Sequence, residues 1–251
     1  MTDSPSAMPA SHEGLAYWHF LADLTKKRGV KRYLEVGVQQ GQLMSMIQAE
    51  RAVGVDPFFN ITFNVAKGKK QLSLFQGPSD EFFASGKSAD LLGGAPDFVF
   101  LDGMHTFDYL LRDFYHSEAL AAKDTLIALH DCLPLGPEMI ERSEARAVAM
   151  GAGSRFPGYW TGDVWKLVPI LKEYRPDLKI VCVDSAPTGL VFISNLDPGS
   201  RVLSDNYLEI VGKYAAMGND LAALDRFYAS VQLVKTARIL NEFDHSLYFR
   251  T

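Results

Sequence analysis

Cysteine is scarce in this chain, with only Cys132 and Cys182 among its 251 residues. The two thiols lie far apart and form no C-x-x-C spacing, so we expect both to be reduced, as in a cytoplasmic protein. No apolar stretch reaches the roughly 18 uncharged residues that span a bilayer, which argues against a membrane location. Strong positive charge is missing as well. A net charge of −5 is unlike the basic stripe of a nucleic-acid groove, so no nucleic-acid partner is expected.

The N-terminus lacks the apolar segment of a signal peptide. Residues 1–11 are polar and rich in Ser and Pro, and we expect a disordered tail over residues 1–12. Hydrophobic residues make up 47% of the composition, which is enough to bury one large core. We therefore expect residues 13–251 to form a single domain.

Helix-like and strand-like segments alternate along that domain. Apolar residues at helical spacing predict a leading helix over residues 14–28 and another over residues 109–122. Short apolar runs predict strands over residues 32–36, 52–55, 72–75, 98–101, 126–129, 178–183 and 189–194. The alternation predicts one doubly wound, Rossmann-like α/β sheet of about seven mostly parallel strands, with helices on both faces. A turn at Pro187, Thr188 and Gly189 predicts a hairpin, so the last strand should be antiparallel.

Three other segments have a distinctive composition. Residues 134–163 are rich in Gly, Pro and aromatic residues and are predicted to form a substrate loop or lid. Within and after it, Trp160 and Trp165 flank a Gly–Asp turn; they could line a substrate wall, or pack a helix on the sheet with Asp163 as its N-cap. Residues 204–243 are predicted to form two helices that break near Gly218 and Asn219. The apolar leading helix could pack on a second copy, which leaves a homo-oligomer open.

The most informative motif is a glycine turn between the first predicted strand and a predicted helix over residues 42–49. Its acid is Glu35 and its glycines are Gly37 and Gly41, in an acid-x-Gly-x-x-x-Gly spacing. In open α/β sheets such a turn holds a nucleotide, because glycine lets the backbone turn sharply and a ligand approach closely. A carboxylate there would repel the pyrophosphate of a dinucleotide but attract a ligand with an ammonium and a sulfonium group. The turn therefore favours S-adenosylmethionine.

Two turns after later strands could extend this site. Asp56 follows the second predicted strand about twenty residues beyond Glu35, where an acid hydrogen-bonds the ribose hydroxyls of an adenosine-type ligand. Alone, it could also be an ordinary Asp–Pro turn. Gly77 and Ser79 follow the third strand, where the adenine or ribose would lie, although an ordinary turn has the same composition.

Polar side chains also follow the fourth and fifth predicted strands. Asp102 ends a continuous apolar run and His105 comes three residues later, while His130 and Asp131 end the next strand. Neighbouring parallel strands bring Asp102 and Asp131 together, and two carboxylates are unfavourable there without a cation between them. The pair is thus a candidate site for a hard divalent ion such as Mg²⁺. The alternatives are that one acid is a structural cap with no metal, and that His105 is structural.

These motifs together resemble class I S-adenosylmethionine-dependent methyltransferases, within them the branch with metal-dependent O-methyltransferases of sugars and natural products. The resemblance covers residues 33–133. It rests on the glycine turn, on Asp56, on the run Phe100-Leu101-Asp102-Gly103-x-His105 and on His130-Asp131. The resemblance implies O-methylation of a small hydroxylated acceptor. It implies that Glu35, Gly37, Gly41 and Asp56 hold the cofactor, which Asp102 borders. It further implies that Asp102 and Asp131 bind a divalent metal (Mg²⁺ or Mn²⁺) and that His105 is the general base.

Some metal-dependent relatives have an acid at position 130, where this chain has His130. An imidazole can bind a metal, but it favours Zn, Fe, Ni or Mn over Mg more than an oxygen ligand does. Three interpretations stay open: His130 binds a different metal, it contacts a ligand of the metal or the substrate, or no metal binds. The chemistry needs only a cation that lowers the pKa of the acceptor hydroxyl and a histidine that accepts its proton.

Three other functions remain to be weighed. A nicotinamide-dependent oxidoreductase would carry a third glycine in a G-x-G-x-x-G turn, whereas Val38 and Gln39 follow Gly37 here. A non-catalytic cofactor-binding member should have lost the acids of the crevice, yet Asp102 and Asp131 are present. A metal-free methyltransferase would use His105 alone.

Overall fold

The computed structural model describes residues 7–241 and 247–249, and its centre is one eight-stranded sheet. The spatial order is β3-β2-β1-β4-β5-β7-β6-β8. Strands β1 to β5 are parallel to their neighbours among themselves, whereas β7 is antiparallel to both β5 and β6. The strands are β1 (Arg32–Val36), β2 (Ala49–Asp56), β3 (Lys69–Gln76), β4 (Phe98–Leu101), β5 (Leu126–His130), β6 (Lys179–Val183), β7 (Leu190–Ser194) and β8 (Leu233–Val234).

The expected fold class is confirmed, with one strand more than expected. Strand β8 is only two residues long and pairs in parallel with β6 at the edge of the sheet. Two residues carry no readable alternation of apolar and polar side chains, which is why the sequence pattern missed this strand. The antiparallel β6–β7 hairpin lies where the turn at Pro187 to Gly189 predicted it.

Helices cover both faces of the sheet. In the described residues they are α1 (Tyr17–Arg28), α2 (Gln42–Met46), α3 (Ser79–Ala84), α4 (Ser88–Leu92), α5 (Phe107–Ala119), α6 (Glu144–Gly151), α7 (Leu167–Tyr174), α8 (Val202–Asp205), α9 (Tyr207–Ala215), α10 (Leu221–Ala229) and α11 (Thr236–Asn241), with a 3₁₀ turn over Val164–Lys166. Helix α1 ends at Gly29, whose left-handed φ of 64° closes the last turn behind three basic residues. No helix in this described part is long and apolar enough to cross a membrane.

The strands alternate their side chains between two apolar cores. On one face Phe98 and Phe100 pack with Tyr33 and helix α1, and on the other Val99 and Leu101 pack with α5 and α7. Strands β4 and β5 are buried along their whole length, as expected for the middle of a mostly parallel sheet. Phe100 pairs with Ala128 in this register. Two residues further along each strand, Asp102 and His130 therefore come side by side at the carboxyl edge.

Several predicted segments differ from the structure in their bounds. Helix α1 starts three residues later than predicted, α5 starts two residues earlier and ends three earlier, and β2 and β3 are longer. Three further segments differ as follows. The helix expected over residues 42–49 ends at Met46, because Ile47 turns extended (ψ 132°) and Ala49 already begins β2. The loop 134–163 contains helix α6. The C-terminal region has its break at 216–220, but it holds four helices and β8 in place of two helices, and residues 242–243 lie outside the described residues.

The N-terminal segment is tied to the β6–β7 hairpin. The amide of Gly14 donates to Asp184 O (3.0 Å) and that of Tyr17 to Ala186 O (2.9 Å). Further upstream, His12 is buried and its Nε2 lies 2.8 Å from Leu133 O. Residues 1–6 of the predicted tail lie outside the described residues.

Candidate active site

A cavity of about 1020 Å³ opens at the carboxyl edge of β1, β2, β4 and β5. This is the edge at which open α/β sheets bind their ligands. Most of the site residues predicted from the sequence line it: Glu35, Gly37, Gly41, Asp56, Ser79, Asp102, His105, His130 and Asp131. Gly77 does not line the cavity; it lies in the turn immediately before the lining residue Pro78.

The glycine turn allows the loops after β1 and β4 to touch. Gly37 has a left-handed φ of 89°, and a Cβ on it would overlap the carbonyl oxygen of Asp102. Gly41, with φ 81°, begins helix α2, and a Cβ there would overlap the side chain of Val65. Both positions require glycine for conformation and for space. The close approach keeps the Glu35 and Asp102 ends of their strands together.

Glu35 is a buried carboxyl at the floor of the cavity. Only 2% of its surface is exposed, and its Oε2 accepts a hydrogen bond from the Tyr33 hydroxyl at 2.6 Å. Burial raises the pKa of Glu35 to about 8; the Tyr33 hydrogen bond opposes this shift and the charge of Asp102 adds to it. At neutral pH the free protein therefore holds Glu35 mostly protonated, ready to ionise when a cation approaches.

Asp56 joins two loops beside the cavity. Its Oδ2 accepts from the Gln39 amide and its Oδ1 from the Phe58 amide, each at 2.7 Å. Each carboxylate oxygen has a second lone pair, so these bonds leave acceptor capacity for a ligand. The residue thus fixes the glycine turn while its carboxylate borders the cavity.

Four polar side chains meet where β4 and β5 end. His130 Nδ1 lies 3.0 Å from Asp102 Oδ1 and 3.5 Å from Asp131 Oδ1. His105 Nε2 lies 3.4 Å from Asp131 Oδ2 and 3.8 Å from Asp102 Oδ1. Ligand atoms of Asp102, His105 and Asp131 come within 4.8 Å of one another, close enough to share one metal ion. In this arrangement His105, rather than His130, completes the group with the two acids.

The charges in this cluster already compensate one another. Burial alone would raise the pKa of Asp102, but the charges of His130 and His105 and the His130 hydrogen bond outweigh it and lower the pKa. Burial would lower the pKa of His130, but Asp102 and Asp131 reverse this and raise it to about 9. His130 is therefore an imidazolium at neutral pH and is itself the cation between the two carboxylates.

Two residues of the site carried no signal as site residues in the sequence. Thr188 Oγ1, from the β6–β7 hairpin, donates to Asp131 Oδ1 at 2.5 Å and steadies a residue whose φ is 58°. Tyr17 lines the cavity at the start of α1, with its ring 4.0 Å from that of His130. Thr188 lies 57 residues from its partner, and Tyr17 resembles any other apolar residue of an amphipathic helix. Only the fold brings them to the cavity.

The end of the loop 134–163 packs against His105. The Trp160 ring stacks on the imidazole with 4.6 Å between centroids, and Trp160 O lies 2.9 Å from His105 Nδ1. A Cβ on Gly162 would overlap the carbonyl oxygen of His105. Trp160 thus lines the cavity, as one interpretation of the sequence held, whereas Trp165 is fully buried and packs in the core.

Asp163 differs from its expected role as the N-cap of the following helix. Its side chain makes no cap hydrogen bond there; its Oδ1 accepts from the Phe107 amide at the start of α5 (3.1 Å). Its Oδ2 pairs with Arg142 (3.0 Å) and Lys166 (3.4 Å). This buried carboxylate therefore joins the loop to the helix that follows His105, and two cations compensate its charge.

Comparison with known proteins gives one family match and similarities to solved structures. Residues 34–132 match the family described as "Methyltransferase domain". A search of curated proteins finds no match. Among solved structures, cofactor-bound Rv0187 from MTB is 17% identical, with a TM-score of 0.50 over 73% of this chain and 84% of that chain. The O-methyltransferase from Bacillus cereus in complex with SAH is 14% identical, with a TM-score of 0.47 over 74% and 83%.

Proposed function

We propose that this chain, whose residues 34–132 match the methyltransferase-domain family, is a class I methyltransferase that transfers a methyl group from S-adenosylmethionine to a hydroxyl group of a small molecule. The observation that carries the proposal is the juxtaposition of two functions around one cavity. A buried carboxyl and a glycine turn lie at the end of β1, and an acid–histidine cluster lies at the ends of β4 and β5. The first suits a cationic cofactor and the second suits deprotonation of an alcohol.

Glu35, Asp56 and the glycine turn would hold the cofactor. Glu35 would pair with its ammonium group, because the charge of Lys69 only partly opposes the effect of burial and a cation in contact would stabilise the carboxylate further. Asp56 would accept hydrogen bonds from the ribose hydroxyls with its remaining lone pairs. S-adenosylmethionine supplies a methyl group on a positively charged sulfur. A cavity of about 1020 Å³ is at the upper end of common ligand sites (roughly 300–1,000 Å³), which supports room for a small acceptor as well.

The donor set of Asp102, Asp131 and His105 fits a divalent cation. Ligand atoms of the three residues lie within 4.8 Å of one another, and the two carboxylates supply oxygen ligands of the kind that suit both Mg²⁺ and Mn²⁺. We assign the two acids as ligands and keep His105 for proton transfer. A bound cation would act as a Lewis acid toward the acceptor hydroxyl. His130, hydrogen-bonded to Asp102, would orient that carboxylate from outside the metal site.

His105 is placed to act as the general base. Its Nδ1 lies 2.9 Å from Trp160 O, and a carbonyl can only accept, so Nδ1 carries the hydrogen. In the neutral ring the free lone pair is then on Nε2, which lies 3.4 Å from Asp131 Oδ2 and 3.8 Å from Asp102 Oδ1. It would take the proton of the acceptor hydroxyl as that oxygen attacks the methyl carbon. The resulting imidazolium would be stabilised by Asp131, 3.4 Å away.

One observation favours a second, metal-free version of the same reaction. His130 already supplies a positive charge between Asp102 and Asp131, so the acids do not require a metal for electrostatic balance. His105 would then act alone, with His130 holding the acids in place. Loss of turnover in EDTA that Mn²⁺ or Mg²⁺ restores would exclude this version.

Calorimetry with SAH and Mn²⁺ separates the parts of the proposal without a known acceptor. We expect SAH to bind the wild type and NAD⁺ not to bind. Asp102→Asn and Asp131→Asn should abolish Mn²⁺ binding, whereas His105→Gln should retain it within a few-fold. The same variants are then assayed for methyl transfer from labelled S-adenosylmethionine to a panel of small alcohols and phenols. Full transfer by His105→Gln would remove His105 from the reaction.

A further inference from the structure

The walls of the cavity carry many acids and few bases. Among the described residues that line it, eight are Asp or Glu, whereas the basic ones are His105 and His130, with no Lys or Arg. Salt bridges within the described part of the chain reach three of these acids, one through Arg112 and two through the histidines. Burial raises the pKa of Glu35 to about 8 and that of Asp113 to about 7, and the charges of neighbouring acids add to both shifts. The potential inside the cavity is therefore negative.

Arginines on the elements around the cavity are bound to other acids. Arg112, on α5, pairs with a carboxylate of α3 at 2.9 Å. In the loop 134–163, Arg142 pairs with two carboxylates at 2.7 and 3.0 Å, and Arg146 pairs with Glu141 at 3.1 Å. A phosphate or carboxylate on the acceptor would thus meet neither a guanidinium nor an ammonium group among the described residues on these walls. Such an anionic group would be repelled by the acids there.

Glu144 borders the cavity from the loop that packs on His105. The loop 134–163 contributes Glu144, Gly158 and Trp160 to the cavity wall, and the Trp160 ring stacks on that of His105 with 4.6 Å between centroids. Glu144 lies in the first turn of α6, its side chain is exposed, and it forms no salt bridge within the described residues. Its carboxylate is therefore available to a ligand beside the proposed base.

We propose that the acceptor is a hydroxylated amine, whose protonated amino group pairs with Glu144 while its hydroxyl meets His105. This inference rests on the proposed function and names the chemical class of its acceptor. The negative walls attract an ammonium group. Two aromatic rings favour it as well, because Tyr17 and Trp160 both line the cavity and a cation is attracted to the face of such a ring. An acceptor of similar size with an anionic group would be excluded.

The test compares three phenols of similar size and different charge: tyramine is a cation, tyrosol is neutral and 4-hydroxyphenylacetate is an anion. Calorimetry with SAH and Mn²⁺ present gives their dissociation constants for the wild type. Each step in this series should weaken binding about tenfold, the effect of a unit charge roughly 6 Å from a carboxylate at an effective dielectric constant of about 40. Equal binding of the three, a reversed order, or no binding of tyramine at about 10 mM would overturn the proposal.

Variants of Glu144 identify the partner of the amino group. Glu144→Gln should lower the preference for tyramine over 4-hydroxyphenylacetate at least about tenfold, and Glu144→Lys should lower it further. Glu138→Gln is the matched control, because Glu138 belongs to the same loop and loses the same charge but does not line the cavity. It should keep the wild-type preference. An equal loss in Glu144→Gln and Glu138→Gln, or no loss in either, would refute pairing with Glu144. Absence of SAH binding to the wild type would instead refute the proposed function.

Discussion

Binding of SAH should release a proton from Glu35. The pKa of this buried carboxyl is raised to about 8 in the free protein, so at pH 7 about 0.9 of the molecules carry the proton. If the ligand's ammonium pairs with Glu35, the pKa falls well below 7 in the complex and the proton leaves. About 0.9 proton should be released at pH 7, about 0.5 at pH 8 and about 0.1 at pH 9.

The same linkage fixes how affinity depends on pH. Only the ionised form of Glu35 pairs with the ammonium, and its population rises about 50-fold between pH 6 and pH 8 for a pKa near 8. The affinity for SAH should rise by the same factor over this window. Calorimetry in phosphate and in Tris gives the number of protons released on binding. The two buffers differ in ionisation enthalpy, so the observed heat differs between them in proportion to that number.

Glu35→Gln is the control, since glutamine keeps the size of the side chain but cannot ionise. In this variant the pH dependence between 6 and 8 should flatten, and the difference from the wild type isolates Glu35 from other titrating groups. A wild-type binding heat that is the same in both buffers at pH 7, or a variant that releases as many protons as the wild type, would show that Glu35 does not meet the ammonium.

Four other outcomes follow from the structure. Because the unfolded chain ionises Glu35 near 4.5 and the folded chain only near 8, stability contributed by the neutral carboxyl is lost as pH rises through that window; Glu35→Gln should therefore gain more in Tm relative to the wild type at pH 8 than at pH 5. Asp102→Ala should abolish methyl transfer and leave the Kd for SAH within a few-fold, and wild-type rates would exclude Asp102 from the reaction. Thr188→Val should lower the rate of methyl transfer by about tenfold or more, because it removes the 2.5 Å hydrogen bond to Asp131. Thr188→Ser keeps that hydrogen bond and should restore the rate. Equal rates in the two variants would mean that the hydrogen bond does not contribute to the reaction. Gly162→Ala should lose at least about 2 kcal/mol of stability in urea melts because its Cβ overlaps His105 O, whereas Gly158→Ala, also left-handed (φ 80°) but with open space, should lose only about 1 kcal/mol; similar losses would contradict the overlap.

The sequence was most informative where short-range patterns determine the structure. Continuous apolar runs gave strands β4 and β5 to within one residue, and the glycine turn after β1 lies where its spacing predicted it. Because parallel strands bring their carboxyl ends to one edge, Asp102 and Asp131 could be expected to meet before any coordinates existed. The proximity of Asp102 and Asp131 depends only on β4 and β5 being neighbours in the sheet.

Long-range partners could not be predicted in the same way. The different roles of His105 and His130 depend on the directions of their side chains. Trp160 O holds the His105 ring, whereas Asp102 and Thr188 contact the His130 ring. The cap hydrogen bond that one of two interpretations gave Asp163 is made to the Phe107 amide on α5, 56 residues earlier, and not to the adjacent helix. Neither the contacts of the two histidines nor those of Asp163 can be predicted from the local sequence.

The connection between β6 and β7 limits where this protein can be redesigned. This connection holds Tyr17 through Ala186 and Asp131 through Thr188, so one short turn positions two sides of the cavity that are more than 100 residues apart in the sequence. Lengthening that turn would disturb both at once. Changes meant to broaden the range of acceptors are therefore better made in α6, where Glu144 lines the cavity and the side chains of Val148 and Met150 are exposed.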